Sequence, residues 1–409
     1  MRELLSKQNL DYMDRAREVA EKYVRPRAAE LDRTAEYGWD ILEALKKYEL
    51  TGIWIPKEYG GHGAGVLDLC LVVEQLSRAC GGVGVAYAVN ALGSFPIMLN
   101  ATEEQKQKYL PPIATGEKLI AFGLSEKASG SDAGSLRTTA LKDGDGYVIN
   151  GEKKWNTNGG QASIFTVYAL TDPSRGMRGI SGFIVEKDTP GFRLGKREDT
   201  MGIRTVSVHE LHFENCRVPK SALLGGRAGD GFKNSMMTLD RARPGVAAQA
   251  VGLAQGAFEW ALRYSSERKQ FGQTVMSHQA IQFMLADMAT QIEAARQLVY
   301  TAARVIDSGA KNVNKIAAMC KVFATDTAMK VTTDAVQIFG GYGYCRDYPI
   351  EKYMRDAKIT QIYEGTNQVQ RMVIGRALTR ELSELTANLE VKVEHFADEA
   401  AGELVGAPE

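Results

Sequence analysis

Leu119-Ile120-Ala121-Phe122-Gly123-Leu124, residues 119–124, is where the periodicity of this 409-residue chain changes. Before it, Leu10, Met13, Val19 and Tyr23 fall near helical spacing, and the runs Trp39 to Tyr48 and Leu67 to Ala79 continue the pattern. Pro26 predicts a kink or restart in the first helix. Thr102 with Gln105 predicts a capping box opening a helix over Glu103 to Leu110, stopped by Pro111-Pro112. From 119 onward the apolar runs are short and β-branched or aromatic: Tyr147 to Asn150, Ser163 to Leu170, Ile180 to Val185 and Val206 to Phe213. Asp143-Gly144-Asp145-Gly146 and Pro190-Gly191 supply turns between them. Val206 and Val208 alternate with Thr205 and Ser207, as a half-buried strand does. After Gly231 long helical patterns return over Phe232 to Glu267, Gln279 to Ile306 and Val313 to Phe339, with a fourth after Asn367. The expected fold is therefore α+β and multi-domain. A helical domain over 1–117 precedes a middle antiparallel, barrel-like β-domain over 118–226, a four-helix bundle over 227–389 and an acidic tail over 390–409.

Fifty basic residues balance fifty acidic ones, which argues against nucleic acid as the main partner, because phosphate binding needs clustered Lys and Arg. Cys70, Cys80, Cys216, Cys320 and Cys345 are scattered without CxxC spacing and read as core thiols in a reducing compartment. His209 and His212, three apart on an expected strand, point to opposite faces, and no metal site is expected. There is no run of about 18 apolar residues, and the start Met1-Arg2-Glu3-Leu4-Leu5-Ser6-Lys7 lacks a signal or transit pattern. A cytoplasmic protein without a membrane span is the expectation. No G-x-G-x-x-G follows a strand and no G-x-x-x-x-G-K-[ST] occurs, so neither a Rossmann nor a P-loop nucleotide site is indicated.

The most informative chemical stretch is Tyr363-Glu364-Gly365-Thr366-Asn367, a carboxylate between an aromatic and a glycine just before a helical run. A Glu at such a junction is ordinarily a solvated loop charge. It becomes a general base only if burial raises its pKa toward neutrality and the substrate carbon acid is activated.

Ile362 to Arg371 resembles the catalytic-base signature of the acyl-CoA dehydrogenases, and Gly123-Leu124-Ser125-Glu126-Lys127-Ala128-Ser129-Gly130-Ser131-Asp132, over two hundred residues away, resembles that family's flavin-lining segment. Trp155-Asn156-Thr157-Asn158-Gly159 is similar to the strand flanking the isoalloxazine, and Asp240-Arg241-Ala242-Arg243-Pro244 to a helix of the acyl-CoA pocket. Glu267 to Gly272 and Gln337 to Gly341 resemble segments that reach a neighbouring subunit's FAD. The resemblance implies Glu364 as the catalytic base. It implies FAD contacts from Phe122, Leu124, Ser125, Gly130, Ser131, Trp155, Thr157, Arg268, Phe271, Gln279, Gln337, Gly340, Gly341, Thr366 and Gln368. Ser131, Asp240, Arg243, Tyr363 and Gly365 are the implied substrate contacts. Unaided, Trp155 would read as a core aromatic, Asp240 and Arg243 as an i,i+3 surface pair, and Gly340-Gly341 as a helix C-cap.

Lys127 stands where many relatives have Pro and Asn156 where many have Ile, each expected close to the flavin or thioester. One branch of the family carries its base on the helix of Asp240 to Arg243; Ala242 holds that position here, which leaves Glu364 as the base. The implied reaction is α,β-dehydrogenation of an acyl-CoA to the trans-2-enoyl-CoA, with FAD N5 taking the hydride and an electron-transferring flavoprotein taking the electrons from a homotetramer. The rival on the same fold is an acyl-CoA oxidase or flavin monooxygenase. Acyl chain length is not legible, although Tyr87 and Ala88 in the stretch Ala86 to Ser94 hint at a bulky, cyclic or branched group.

Overall fold

The computed structural model describes residues 2–388; the expected acidic tail over 390–409 lies outside the described residues. Helix α1 (Lys7–Val19) is opened by a reciprocal Ser6–Asn9 capping box and runs into one π-helical turn, Ala20–Val24. The chain turns at Pro26 and restarts as α2 (Ala28–Thr34), as the proline demands. Helices α3 (Trp39–Lys47), α4 (Val66–Ala79), α5 (Gly81–Asn100) and α6 (Glu103–Ala114) complete the first third. The Thr102–Gln105 capping box forms. Pro111 and Pro112 do not stop α6 but occupy its last turn, where the carbonyl of Pro111 accepts from Thr115 N at 3.1 Å and that of Pro112 from Lys118 N at 2.9 Å.

Helix α5, not outlined as a separate element in the sequence reading, is long and apolar enough to cross a membrane, but 78% of its apolar window is buried inside the protein, as in a core helix. It is the wall against which both other domains pack.

The β-domain has strands β1 (Ile120–Gly123), β2 (Thr139–Asp143), β3 (Gly146–Thr157), β4 (Ile164–Leu170), β5 (Ile180–Glu186), β6 (Phe192–Arg197) and β7 (Val208–Pro219). Its ladders are mostly antiparallel, but β1 runs parallel to β4 over four residue pairs, and β2 meets β4 in parallel at Thr139 and Leu170. The expected all-antiparallel domain is thus a curled mixed sheet, because the 124–138 segment carries the chain between β1 and β2 rather than turning in a hairpin. The strand expected from Val206 begins only at Val208; Thr205, Val206, Ser207 and Val208 are all buried, so the alternation reflects packing of a turn and not a half-exposed strand.

The last third comprises α7 (Gly231–Glu267), a two-stranded ribbon of β8 (Lys269–Gln270) and β9 (Gln273–Thr274), α8 (Gln279–Asp307), α9 (Asn314–Phe339), α10 (Ile350–Thr360) and α11 (Asn367–Asn388). The most extensive helix contact is α7 on α9. Alanines 247, 250, 254, 257 and 261 of α7 and 317, 324, 328 and 335 of α9 are fully buried, and small side chains let the axes approach closely. One apolar core runs through the helices of both the first and last thirds, while the sheet keeps a smaller core around Phe165, Phe183 and Phe213. Two long-range carboxylates tie the parts together. Asp307 accepts the N–H groups of Val66 and Leu67 at 2.7 and 3.0 Å, capping α4 from α8, and Asp356 accepts Ile203 N at 2.6 Å.

Candidate active site

Helix α10 ends at Thr360, and the six residues to Asn367 form a tight turn before α11. Glu364 sits there at φ 52° and Gly365 at φ 92°. A non-glycine residue in the left-handed region costs about 1 kcal/mol or more and persists only when its surroundings hold it. What holds it is on both sides of the turn. Gln370, fully buried, donates to the carbonyls of Glu364 and Gly365, each at 3.2 Å. Lys321 of α9, fully buried, donates to Gly365 O and Asn367 Oδ1, each at 2.9 Å. Asn367 in turn donates to Thr325 and Asp326, and Thr366 Oγ1 accepts Val369 N at 3.2 Å, capping α11. A Cβ on Gly365 would lie 2.3 Å from Gln370 Nε2. Gly365→Ala is expected to cost about 2 kcal/mol, from the positive φ and the displaced donor together, measured as a lowered denaturation midpoint; an unchanged midpoint would show that the turn is not held as described.

Against this frame Glu364 presents a carboxyl whose Oε2 is buried and without a hydrogen-bond partner. Burial pushes its pKa up to about 7, only partly opposed by the charges of Arg243 and Lys321. The same burial pushes Lys321 down to about 7, against the attraction of Glu364 and with the repulsion of Arg243. Arg243 is 5% exposed and bonds Asp240, whose own carboxyl is raised by burial. The i,i+3 pair is therefore not a surface pair, because α7 turns this face inward. Tyr363, next to the carboxylate, donates its hydroxyl to Gln249 of α7, which itself donates to Gly81 O at 3.0 Å.

The β-domain closes the opposite side. Leu124, at the end of β1, packs with Leu239 of α7, one turn before Arg243. Its side chain is buried, as Phe122 is partly against Tyr168, so neither offers its side chain freely; Ser125 is half-buried, and Gly130 and Ser131 are exposed. The segment after β1 is anchored by a buried ion pair absent from the sequence reading. Glu126 accepts from Lys153 at 2.7 Å and from the N–H groups of Arg137 and Thr138 at 2.7 and 3.0 Å. Where β3 is bulged against β7, Trp155 takes φ 62° and stands 51% exposed, contrary to a core aromatic. Thr157 ends the strand, and Asn158 Nδ2 donates to Ala86 O of α5 at 3.1 Å. Ala86 also belongs to the apolar cluster on which Tyr363 packs, so the end of β3 and the Glu364 turn converge on the same point of α5. Asn156 is 1% exposed and bonds His209 O at 2.9 Å; it is turned into the sheet and not toward a ligand, whereas Lys127 is exposed.

A second group lies elsewhere, at the ends of α7 and α9. Phe271, at φ 52°, is 93% exposed, and Gln279, Gln337, Gly340 and Gly341 are exposed, with no heavy atom near a Cβ built on either glycine. Gly340 does cap α9, at φ 62°. Arg268 lies over Tyr342, 5.7 Å from the ring centroid, and among the described residues has no acidic partner. Gln368 is exposed on α11. The structure thus brings Glu364, Tyr363, Gly365, Thr366, Asp240 and Arg243 together, and sets the Arg268–Gly341 group apart as an open surface. The sequence reading missed Lys321, Gln370 and Gln249; for Lys321 a signal existed, a lysine set among Ala317, Ala318, Cys320 and Ala324 on the apolar face of α9. Among the cysteines, Cys345 is exposed rather than core.

Residues 6–117, 121–216 and 229–379 match the family models for the N-terminal, middle and C-terminal domains of acyl-CoA dehydrogenase. A probable acyl-CoA dehydrogenase of Mycobacterium tuberculosis is 49% identical over 89% of this chain and 93% of its own length. Two solved structures cover 92% of this chain and 99% of theirs. One, reported with the electron transferring flavoprotein of Acidaminococcus fermentans, has TM-score 0.90 and 52% identity. The other, butyryl-CoA dehydrogenase of Megasphaera elsdenii, has TM-score 0.89 and 47% identity. With its three domains matched in order and a buried carboxylate at the turn before α11, the chain belongs to the acyl-CoA dehydrogenase family, FAD-dependent oxidoreductases acting on the CH–CH group of their donors.

Proposed function

We propose that the chain dehydrogenates a short acyl-CoA thioester between Cα and Cβ, with Glu364 abstracting the α-proton. The observation that carries this reading is the unpartnered, buried Oε2 of Glu364, a proton acceptor near neutrality held among Arg243, Lys321 and Tyr363. The N–H of Glu364 is the donor that the family resemblance assigns to the thioester carbonyl, and polarising it there would contribute about 3 kcal/mol to the transition state. Arg243 and Lys321 favour the ionised base.

The residues present fit FAD. Trp155 is an exposed aromatic at a bulge, Ser125, Gly130 and Ser131 line a segment fixed by Glu126, and Thr157 ends the adjoining strand. Bound there, the flavin supplies the acceptor for the β-hydride. Arg268, Phe271, Gln279, Gln337, Gly340 and Gly341 would serve the FAD of a neighbouring copy in a homotetramer, since Arg268 offers a planar fork suited to pyrophosphate that meets no carboxylate among the described residues. Phe283, Phe323, Met372 and Leu378 are exposed apolar side chains on α8, α9 and α11, as such an assembly requires. An electron transferring flavoprotein is the proposed acceptor, after the protein named with the most similar of the two structures above.

A short acyl group fits the α5 wall. Beyond Ala86 the interior is filled by Tyr87, edge-on to Trp54 with centroids 5.6 Å apart and its hydroxyl bonded to Leu50 O. The cavity left there, lined by Tyr87, Trp54, Asn90 and Thr205, is about 30 Å³, room for about one water. Anaerobic mixing of the FAD-loaded protein with straight, branched, cyclic and dicarboxylyl CoA esters tests this. Flavin bleaching is expected fastest with a short straight ester such as butyryl-CoA, and no bleaching with any ester would refute the reaction.

A further inference from the structure

Lys321 has its amino group buried on α9 among Ala317, Ala318, Cys320 and Ala324, and among the described residues no carboxylate is hydrogen-bonded to it. Burying an ammonium is costly unless something uses its charge or its donors. Both of its acceptors belong to the turn that carries Glu364: the carbonyl one residue after the base and the amide oxygen three residues after it. We propose that Lys321 is the positioning residue of the base, clamping the 365–367 turn through these two acceptors and, when protonated, adding a buried positive charge that favours the ionised carboxylate of Glu364. The inference rests on Glu364 being the base and goes beyond it.

The surrounding charges are consistent with that role. From the turn, Glu364 faces the ammonium; from α7, Arg243 repels it, itself engaged by Asp240; from α9, Asp326 attracts it. Asp326 is already bonded by Arg371 of α11, Gln361 and Asn367, and its carboxyl stays below the usual range. Of the two carboxylates that Lys321 feels, Glu364 alone has an oxygen without a partner. Arg243, though bonded to Asp240, also favours the ionised Glu364, and more strongly than Lys321 does; Lys321 differs in that it also holds the turn that carries the base. An amine that lost its proton could still donate two hydrogen bonds, so the clamp and the charge are separable.

The test uses the FAD-loaded protein and the variants Lys321→Gln, Lys321→Arg and Glu364→Gln. Lys321→Gln is expected to move the acidic limb of the kcat/KM profile upward by about one pH unit, the effect of removing a nearby opposite charge, while Lys321→Arg leaves that limb close to wild type. The Glu364 carboxylate band, assigned in infrared titrations by its loss in Glu364→Gln, is expected to shift in step. A role confined to structure would lower activity or stability without moving either titration, and that result overturns the proposal. If Lys321→Gln does not fold, Lys321→Arg carries the test through the same two titrations, and a limb displaced upward in it overturns the proposal equally. Undiminished activity in Glu364→Gln would instead sink the assignment of the base, so the two failures are distinguishable.

Discussion

Glu364→Gln is expected to retain FAD and acyl-CoA binding but to lose flavin bleaching by roughly three to four orders of magnitude, the upper range for removing a general base. The amide fills the same space, so the turn held by Gln370 and Lys321 survives. What disappears is the carboxylate that the proposed reaction uses as its base. In the unsubstituted protein the ionised form is the active one, so kcat/KM should rise with pH up to about 7, where burial has placed the Glu364 titration, and level off above it. Below that value the carboxyl is protonated and the rate should fall about tenfold per pH unit. Stopped-flow absorbance of the flavin measures both effects; bleaching by Glu364→Gln at the normal rate would reassign the base.

Lys153→Met is expected to have the largest effect on stability, about 3–5 kcal/mol, the penalty for stranding one partner of a buried ion pair. Lys153 is fully buried, and Glu126 is 4% exposed. Burial pushes Lys153 down to about 8, but Glu126 remains below its usual value, so the pair is charged at neutral pH. Lys153 also donates to Leu124 O at 3.1 Å, and Glu126 holds the N–H groups of Arg137 and Thr138. Both ends of the 124–138 segment therefore depend on this pair. Denaturation midpoints should fall, and flavin should be lost at lower denaturant than in the unsubstituted protein. A change of less than about 1 kcal/mol would assign the pair to the surface-like class that contributes little.

How much of this was legible before folding is clearest element by element. The long helices α7, α8 and α9 begin and end within one or two residues of their sequence expectations, because their apolar faces repeat over many turns. Helix α10 and strands β2 and β6 were not outlined. Each is short, and β2 and β6 carry mostly half-exposed or exposed residues, so their apolar pattern is too thin to stand out. Helix α5 was missed for the opposite reason. It is buried nearly all round, and a helix without a polar face shows no periodicity. The parallel pairing of β1 with β4 could not be read either, since an apolar run such as Ile120 to Gly123 says nothing about its neighbour's direction.

By itself the sequence determined the order of helices, sheet and helices, and the two motifs around Glu364 and Ser125, because periodicity and short motifs are local properties. Only the tertiary structure decided that Glu364 is a buried carboxyl with a raised pKa rather than a solvated charge. Its raised pKa comes from burial by residues distant in sequence, and its setting from Lys321, Gln249 and Arg243 on other helices. Desolvation and Coulomb interactions depend on distances through space, and those exist only once α5, α7, α9 and the sheet have packed together.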